Sequence, residues 1–231
     1  MKRGWLLLLL AGCRPMSATD YGEQLFNDPQ FAGSHFNQWS CATCHDVGPA
    51  LRPQVLRIAS GGSLENVVNR PSFWGGRQAR LIDAASFCYV YFMRGPETLT
   101  PDEPRSRALY EYLATLGTAK SPPPLKMTIT LTAVDLPLGN NTRGEAVYRQ
   151  ACEVCHGQVK TGHGRSSVLA SILPNVADDY RTIFPGVAPN LVFIEKVRHG
   201  QFFRVGGNMP LFSEEILSNE DLSALLAYLG R

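Results

Sequence analysis

The hydrophobic positions of this chain fall into short helical runs separated by stretches rich in glycine and proline. Residues 21–26 (YGEQLF), 81–93 (LIDAASFCYVYFM), 107–116 (RALYEYLATL), 143–151 (RGEAVYRQA), 190–199 (NLVFIEKVRH) and 223–230 (SALLAYLG) place apolar side chains at helical spacing. Start signals precede several of them. Thr19 or Asp20 can cap the first and Asn141 or Thr142 the fourth, and acidic residues lead into the third (Thr100 to Glu103) and the last (Ser218 to Asp221). Gly95-Pro96 stops the 81–93 run, and His199 ends the 190–199 run where the helix dipole favours a positive group. One segment differs. Residues 127–134 (MTITLTAV) alternate apolar and polar, the pattern of a strand.

The runs also repeat. The 107–116 and 223–230 helices match each other, and each half begins with a helix carrying an early glycine, Gly22 or Gly144. Each starting helix leads to the same pentapeptide type, Cys41-Ala-Thr-Cys44-His45 and Cys152-Glu-Val-Cys155-His156. The spacing differs: Gly22 to Cys41 takes 19 positions and Gly144 to Cys152 takes 8, so about 27–38, with Pro29 and Gly33, reads as an inserted loop.

C-x-x-C-H is the attachment signature of a c-type haem. Two thiols on one helical turn can bond to the two vinyl groups of a porphyrin, and the next imidazole then lies under the iron. A single copy would also suit a zinc site or a thioredoxin-like pair. Two copies, each followed by histidine and with no other close cysteine pair, predict two covalently bound haem c groups. The attaching residues are Cys41, Cys44, Cys152 and Cys155, with His45 and His156 as iron ligands.

The repeat of starting helix, motif and closing helix resembles the class I cytochrome c fold in both halves. The expected architecture is therefore mainly α: two tandem class I cytochrome c domains joined by a proline-rich linker. Its parts are a leader at 1–12, a first domain at 13–118, a linker at 119–140 around the stiff Ser-Pro-Pro-Pro124 run, and a second domain at 141–231.

The sixth ligand of each iron decides its chemistry. In the second half, Asn208-Met209-Pro210 lies in a glycine-rich stretch 53 residues after His156, just before the closing helix, and resembles the methionine loop of class I cytochromes. Met209 is the expected ligand, which makes this the high-potential haem. In the first half two sulfurs compete, Cys88 and Met93. On an α-helix they point roughly 140° apart, so only one can face an iron. Counting back from the closing helices aligns Met93 with Met209, whereas aligning helix ends matches Met93-Arg94-Gly95 to Arg198-His199-Gly200 and leaves Cys88 facing the haem. Cys88 also has no evident disulfide partner, and an unbound thiol outside the cytoplasm is exposed to oxidation. Cys88, Met93, a distant His35 and an open iron all stay as alternatives.

The cysteine followed by a proline-bearing turn and the 107–116 helix resembles the first haem domain of thiosulfate dehydrogenases and of the SoxA subunit of the sulfur-oxidising system. That resemblance implies cysteine ligation by Cys88. The Arg-Ser pair and Asn that follow the cysteine in thiosulfate dehydrogenases are replaced here by Tyr91-Phe92 and Arg94. Residues 26–31 (FNDPQF) ahead of the first motif resemble the approach to the first haem of bacterial dihaem peroxidases, which are longer and carry further motifs not found here. Arg77, Arg80 and Arg165 are candidate partners for haem propionates. Phe73-Trp74 and Phe202-Phe203 are candidate pocket walls, and His163 belongs to a turn beside the second motif.

Composition narrows the partners. A net charge of +2 over 231 residues gives no signal for nucleic acid. Lys2 and Arg3, a short apolar run and Leu10-Ala-Gly-Cys13 resemble a bacterial lipoprotein leader, which implies a lipid anchor at Cys13. Arg14 is not the aspartate that commonly retains lipoproteins in the inner membrane, so the outer membrane, facing the periplasm, is the expected site. The function these features imply is an electron relay between redox proteins such as small cytochromes or respiratory complexes. The competing expectations are oxidation of a reduced sulfur compound at the first haem, and peroxide reduction.

Overall fold

The computed structural model describes residues 15–35, 38–48, 57–200 and 208–231. The leader with Cys13, and Phe202-Phe203, lie outside the described residues. The chain is helical: α1 (Ala18–Asn27), α2 (Cys41–Cys44), α3 (Leu81–Phe87), α4 (Pro104–Ala114), α5 (Asn141–Val147), α6 (Glu153–His156), α7 (Val176–Ile183), α8 (Pro189–His199) and α9 (Asn219–Tyr228). Each expected helical run is helical here, and all but the run from Leu81 start one to four residues earlier. Ser17 rather than Thr19 or Asp20 caps α1, accepting from the Asp20 amide at 3.1 Å. Asn140 rather than Asn141 or Thr142 caps α5, accepting from the Arg143 amide at 2.9 Å. Each correction follows from the cap geometry, in which the side-chain oxygen must reach the amide three residues on.

Two helix pairs organise the molecule: α1 packs on α4, and α5 on α9. The crossings are built alike. A Cβ at Gly22 would collide with the Ala108 carbonyl, and one at Gly144 with the Ala224 carbonyl. One turn on, Phe26 meets Tyr112 with ring centroids 5.3 Å apart, and Tyr148 meets Tyr228 at 5.8 Å. Glycine is needed in both halves because the helices approach backbone to backbone. Around each crossing lies a separate apolar core. Leu25, Phe26, Val67, Tyr89, Met93, Leu109 and Leu113 fill the first, and Val147, Tyr148, Phe193, Val197, Leu222, Leu225 and Leu226 the second.

Residues 127–134 do not form a strand. Among the described residues the only β pairings are isolated bridges, Asp46 with Ser63 and Phe73 with Gln78. The segment's polar groups pair with second-half side chains instead of a neighbouring strand. The Thr128 amide and hydroxyl donate to the Glu215 carboxylate at 2.9 and 2.6 Å, Thr130 donates to Glu214, and the Thr130 carbonyl meets the His199 ring. Alternation here reflects a chain lying over a surface, with threonines turned to hydrogen-bonding partners and Ala133 packed on the second core. Further along, Asp135 meets Asn190, and the Ser223 hydroxyl donates to the Pro137 carbonyl.

Replacing Gly22 or Gly144 by alanine should force its helix pair apart. An expected loss of about 1–3 kcal/mol, as for overpacked cores, is measurable by denaturant unfolding; unchanged stability in both variants would contradict the close crossing.

Candidate haem-attachment sites

The first motif is a one-turn helix, α2, entered from Ser40, whose amide donates to Thr43 Oγ1 at 3.0 Å. Beyond it the chain runs beside residues 61–64. The Gly61 amide donates to the Cys44 carbonyl at 2.7 Å and the Leu64 amide to the Asp46 carbonyl at 2.8 Å. The His45 ring lies flat on Gly61, where a Cβ would strike it. Its Nδ1 sits 3.3 Å from the Gly62 carbonyl. A carbonyl only accepts, so Nδ1 carries the proton and Nε2 keeps its lone pair.

The second motif follows the same plan. The His156 Nδ1 is 2.8 Å from the Ser171 carbonyl, again leaving Nε2 as the free donor atom. The fully buried Tyr148 donates to the Gly157 carbonyl at 2.6 Å, tying the end of the motif to the helix crossing. Gly157 has φ +66°, and a Cβ there would press on the His163 carbonyl, so the turn after the motif requires glycine. The His163 carbonyl accepts from Gln158, which places this histidine in the expected turn.

Burial sets the protonation of both motifs. It pushes the Cys41 thiol up to about 12, with Cys44 adding to the effect, Cys44 up to about 11 and Cys152 up to about 12. A reactive dithiol needs the opposite shift, toward thiolate. Thiols kept neutral in an apolar wall suit attachment to a flat hydrophobic ligand. Burial likewise lowers His45 to about 4, and lowers His156. Both imidazoles are neutral near pH 7, the form that ligates metal.

Cys41, Cys44 and His45 open onto a large cavity walled by Phe26, Phe31, Trp39, Phe73, Trp74, Phe92 and several leucines. Flat apolar walls, two thiols and an imidazole fit a haem. Cys88 and Met93 both line this cavity. The helix changes pitch between them. After α3 the backbone makes a π turn at Cys88–Phe92, closed by the Met93 amide on the Cys88 carbonyl at 3.1 Å. An i→i+5 bond sets the two residues one wide turn apart instead of roughly 140° around an α-helix. Their settings differ. Met93 is 3% exposed and packs into the first core, whereas Cys88 is only partly buried by protein and interacts electrostatically with Cys41 and Cys44.

Met209 is half-buried and packs against the second core. His35 is exposed and does not line the first cavity. The candidate propionate partners are otherwise engaged: Arg80 pairs bidentately with Asp83, Arg165 reaches the Ala170 carbonyl, and Arg77 the Trp74 carbonyl. Arg70 stands in the wall of the first cavity instead, its guanidinium donating to the Ser63 carbonyl at 2.9 Å. Nothing in the sequence around Arg70 marks it for this place, since its position depends on the fold of residues 61–65. Among the described residues no group of three or more His, Cys, Asp or Glu is placed to hold a metal ion, so neither C-x-x-C pair has companions for a zinc site.

Residues 139–229 match the family described as cytochrome c oxidase, cbb3-type, subunit III. That stretch, less than half of the chain, is similar to a cytochrome c domain. No curated protein matches the chain. Among solved structures, thiosulfate dehydrogenase (TsdBA) from Marichromatium purpuratum in its "as isolated" form is similar at 18% identity, covering 94% of this chain and 47% of that one, with a TM-score of 0.42. The chain thus spans about half the length of that structure. The matched stretch takes in the His156 turn, whose Nδ1 is held by the Ser171 carbonyl.

Gly61→Ala should displace the His45 ring and strongly reduce haem attachment at Cys41 and Cys44, while attachment at Cys152 and Cys155 persists. Haem staining of proteolytic fragments separates the two; full loading at the first motif would contradict the flat packing of His45 on Gly61.

Proposed function

We propose that the chain is a dihaem c-type cytochrome, two tandem domains joined by the 119–140 linker, that relays electrons between redox proteins outside the cytoplasm. The observation that carries this reading is that both C-x-x-C-H turns have the same construction. Each follows the glycine-bearing helix of a close helix pair and each ends in a half-buried histidine whose Nδ1 is held by a loop carbonyl. Haem c supplies reversible one-electron chemistry. The polypeptide attaches it through Cys41/Cys44 and Cys152/Cys155, orients His45 and His156, and excludes water with aromatic walls. Met209 is the second ligand in the C-terminal domain. In the first, Cys88 is favoured over Met93 because it opens onto the cavity facing the attachment cysteines, while Met93 is packed in the core. Thiolate stabilises ferric iron and thioether ferrous iron, so electrons pass from the first haem to the second.

The same placement of Cys88 supports a second reading, oxidation of a reduced sulfur compound at the first haem. Tyr91-Phe92 and Arg94 beside it depart from the thiosulfate dehydrogenase pattern, which favours the relay. A pyridine haemochrome assay should count two haems per chain, with one lost in each paired Cys→Ala variant. Ferric spectra should show a low-spin thiolate signature removed by Cys88→Ala and kept in Met93→Ala, and a methionine charge-transfer band removed by Met209→Ala. A single haem would refute the dihaem reading. Steady thiosulfate turnover lost in Cys88→Ala would make the protein an enzyme.

The leader supports lipid attachment at Cys13 and a periplasm-facing, outer-membrane location. No helix of the described residues is long and apolar enough to cross a membrane. Mature protein should begin at a modified Cys13 and partition into detergent, since each buried acyl methylene adds about 0.8 kcal/mol; an unmodified N-terminus in the aqueous phase would contradict the anchor.

A further inference from the structure

Residues 57 and 58 stand between the two attachment turns and touch both. The Arg57 Nη2 donates to the carbonyls of Ala42 and Thr43, each at 2.7 Å, at the C-terminal end of the α2 turn. The next amide, Ile58, donates to the Gln150 carbonyl at 2.9 Å, inside the turn that delivers Cys152, and the Ile58 side chain packs on the second core. Two consecutive residues therefore tie one C-x-x-C-H segment to the other.

The charge of Arg57 reaches both sites. The guanidinium acts electrostatically on Cys44, Cys155 and the His45 ring, and Cys155 acts on Cys44. These are secondary to burial, yet they mark one guanidinium lying close to both motifs. Its nearest carboxylate is Asp46 at 4.0 Å, a loose pair with side chains 34% and 38% exposed. Arg70, on the cavity wall, is the other cation acting on His45.

We infer that Arg57 is a positioning and electrostatic residue shared by the two haem sites: it holds the first attachment turn against the second and places one positive charge where it raises both reduction potentials. This rests on the two-haem reading above. A cation beside an iron centre favours the reduced form, which carries one positive charge less. Because a single side chain serves two centres, their potentials move together when it changes. A residue that only braced the α2 turn would affect the first haem alone.

The test is potentiometric titration of the holoprotein and its Arg57→Gln and Arg57→Lys variants. Glutamine keeps a donor for the carbonyls and removes the charge; lysine keeps the charge and loses the fork. Arg57→Gln should lower both midpoints, weakening reduction by a fixed donor roughly three- to tenfold at each haem at low ionic strength, and less at high salt. Arg57→Lys should leave the second midpoint where it was. Asp46→Asn, which removes the counter-charge and leaves Arg57 in place, should raise both and serves if Arg57→Gln fails to load haem. Movement of only one midpoint, or of neither, overturns the inference. The haemochrome count on the unaltered protein separates the two failures. One haem would end the dihaem reading and this inference with it, whereas two haems with independent midpoints would end this inference alone.

Discussion

Two helices can meet backbone to backbone only where one of them presents no side chain, and Gly22 and Gly144 hold that place in the two halves. The rest of each half is arranged around this approach. The crossing fixes the angle at which the starting helix leaves toward its cysteine motif. It brings Phe26 onto Tyr112 and Tyr148 onto Tyr228 one turn further on. In the second half Tyr148 then extends the constraint directly to the motif, because its hydroxyl donates to the carbonyl of Gly157, the residue after His156. A contact without polar chemistry of its own thus sets the position of the His156 turn.

The second recurring device is the π turn. One lies at Cys88–Phe92 and the other at Tyr148–Cys152, where the Glu153 amide closes on the Tyr148 carbonyl. Each inserts a residue into a helix at a sulfur-bearing position. In the second half it delivers Cys152 from the end of α5 into the attachment turn. In the first it swings Cys88 and Met93 onto one cavity. Single π turns inside α-helices are found mostly at functional sites, because they realign side chains without ending the helix. Here one leads into the second C-x-x-C-H segment and the other faces the cavity of the first.

These devices also explain what the sequence disclosed and what it hid. The two C-x-x-C-H motifs, the helical runs and the Gly22/Gly144 correspondence were legible because each depends on local spacing. The angle between Cys88 and Met93 was hidden because a count of 100° per residue does not hold where the helix widens. The 127–134 segment mimicked a strand because alternation reports a two-sided surface, whatever supplies the second side; Glu214, Glu215 and His199 supply it here. Arg57 and Arg70 carried no signal at all. Their partners are backbone carbonyls, and carbonyls leave no mark on composition or pattern.

The two halves do not contribute equally to the first cavity. Its wall includes Leu125, Lys126 and Met127 from the linker and Pro210, Leu211, Ser213 and Ile216 from the second half. Pro210 directly follows Met209, so one short segment has a thioether packed against the second core and a proline facing the first cavity. Asn208, just before it, accepts a hydrogen bond from Arg94, the residue after Met93. The stretch bearing Met209 therefore rests against the helix end bearing Met93. Packed segments of this kind have little freedom to move singly. A shift at Met209 would press on the wall of the first cavity, so the surroundings of the two C-x-x-C-H motifs are mechanically joined.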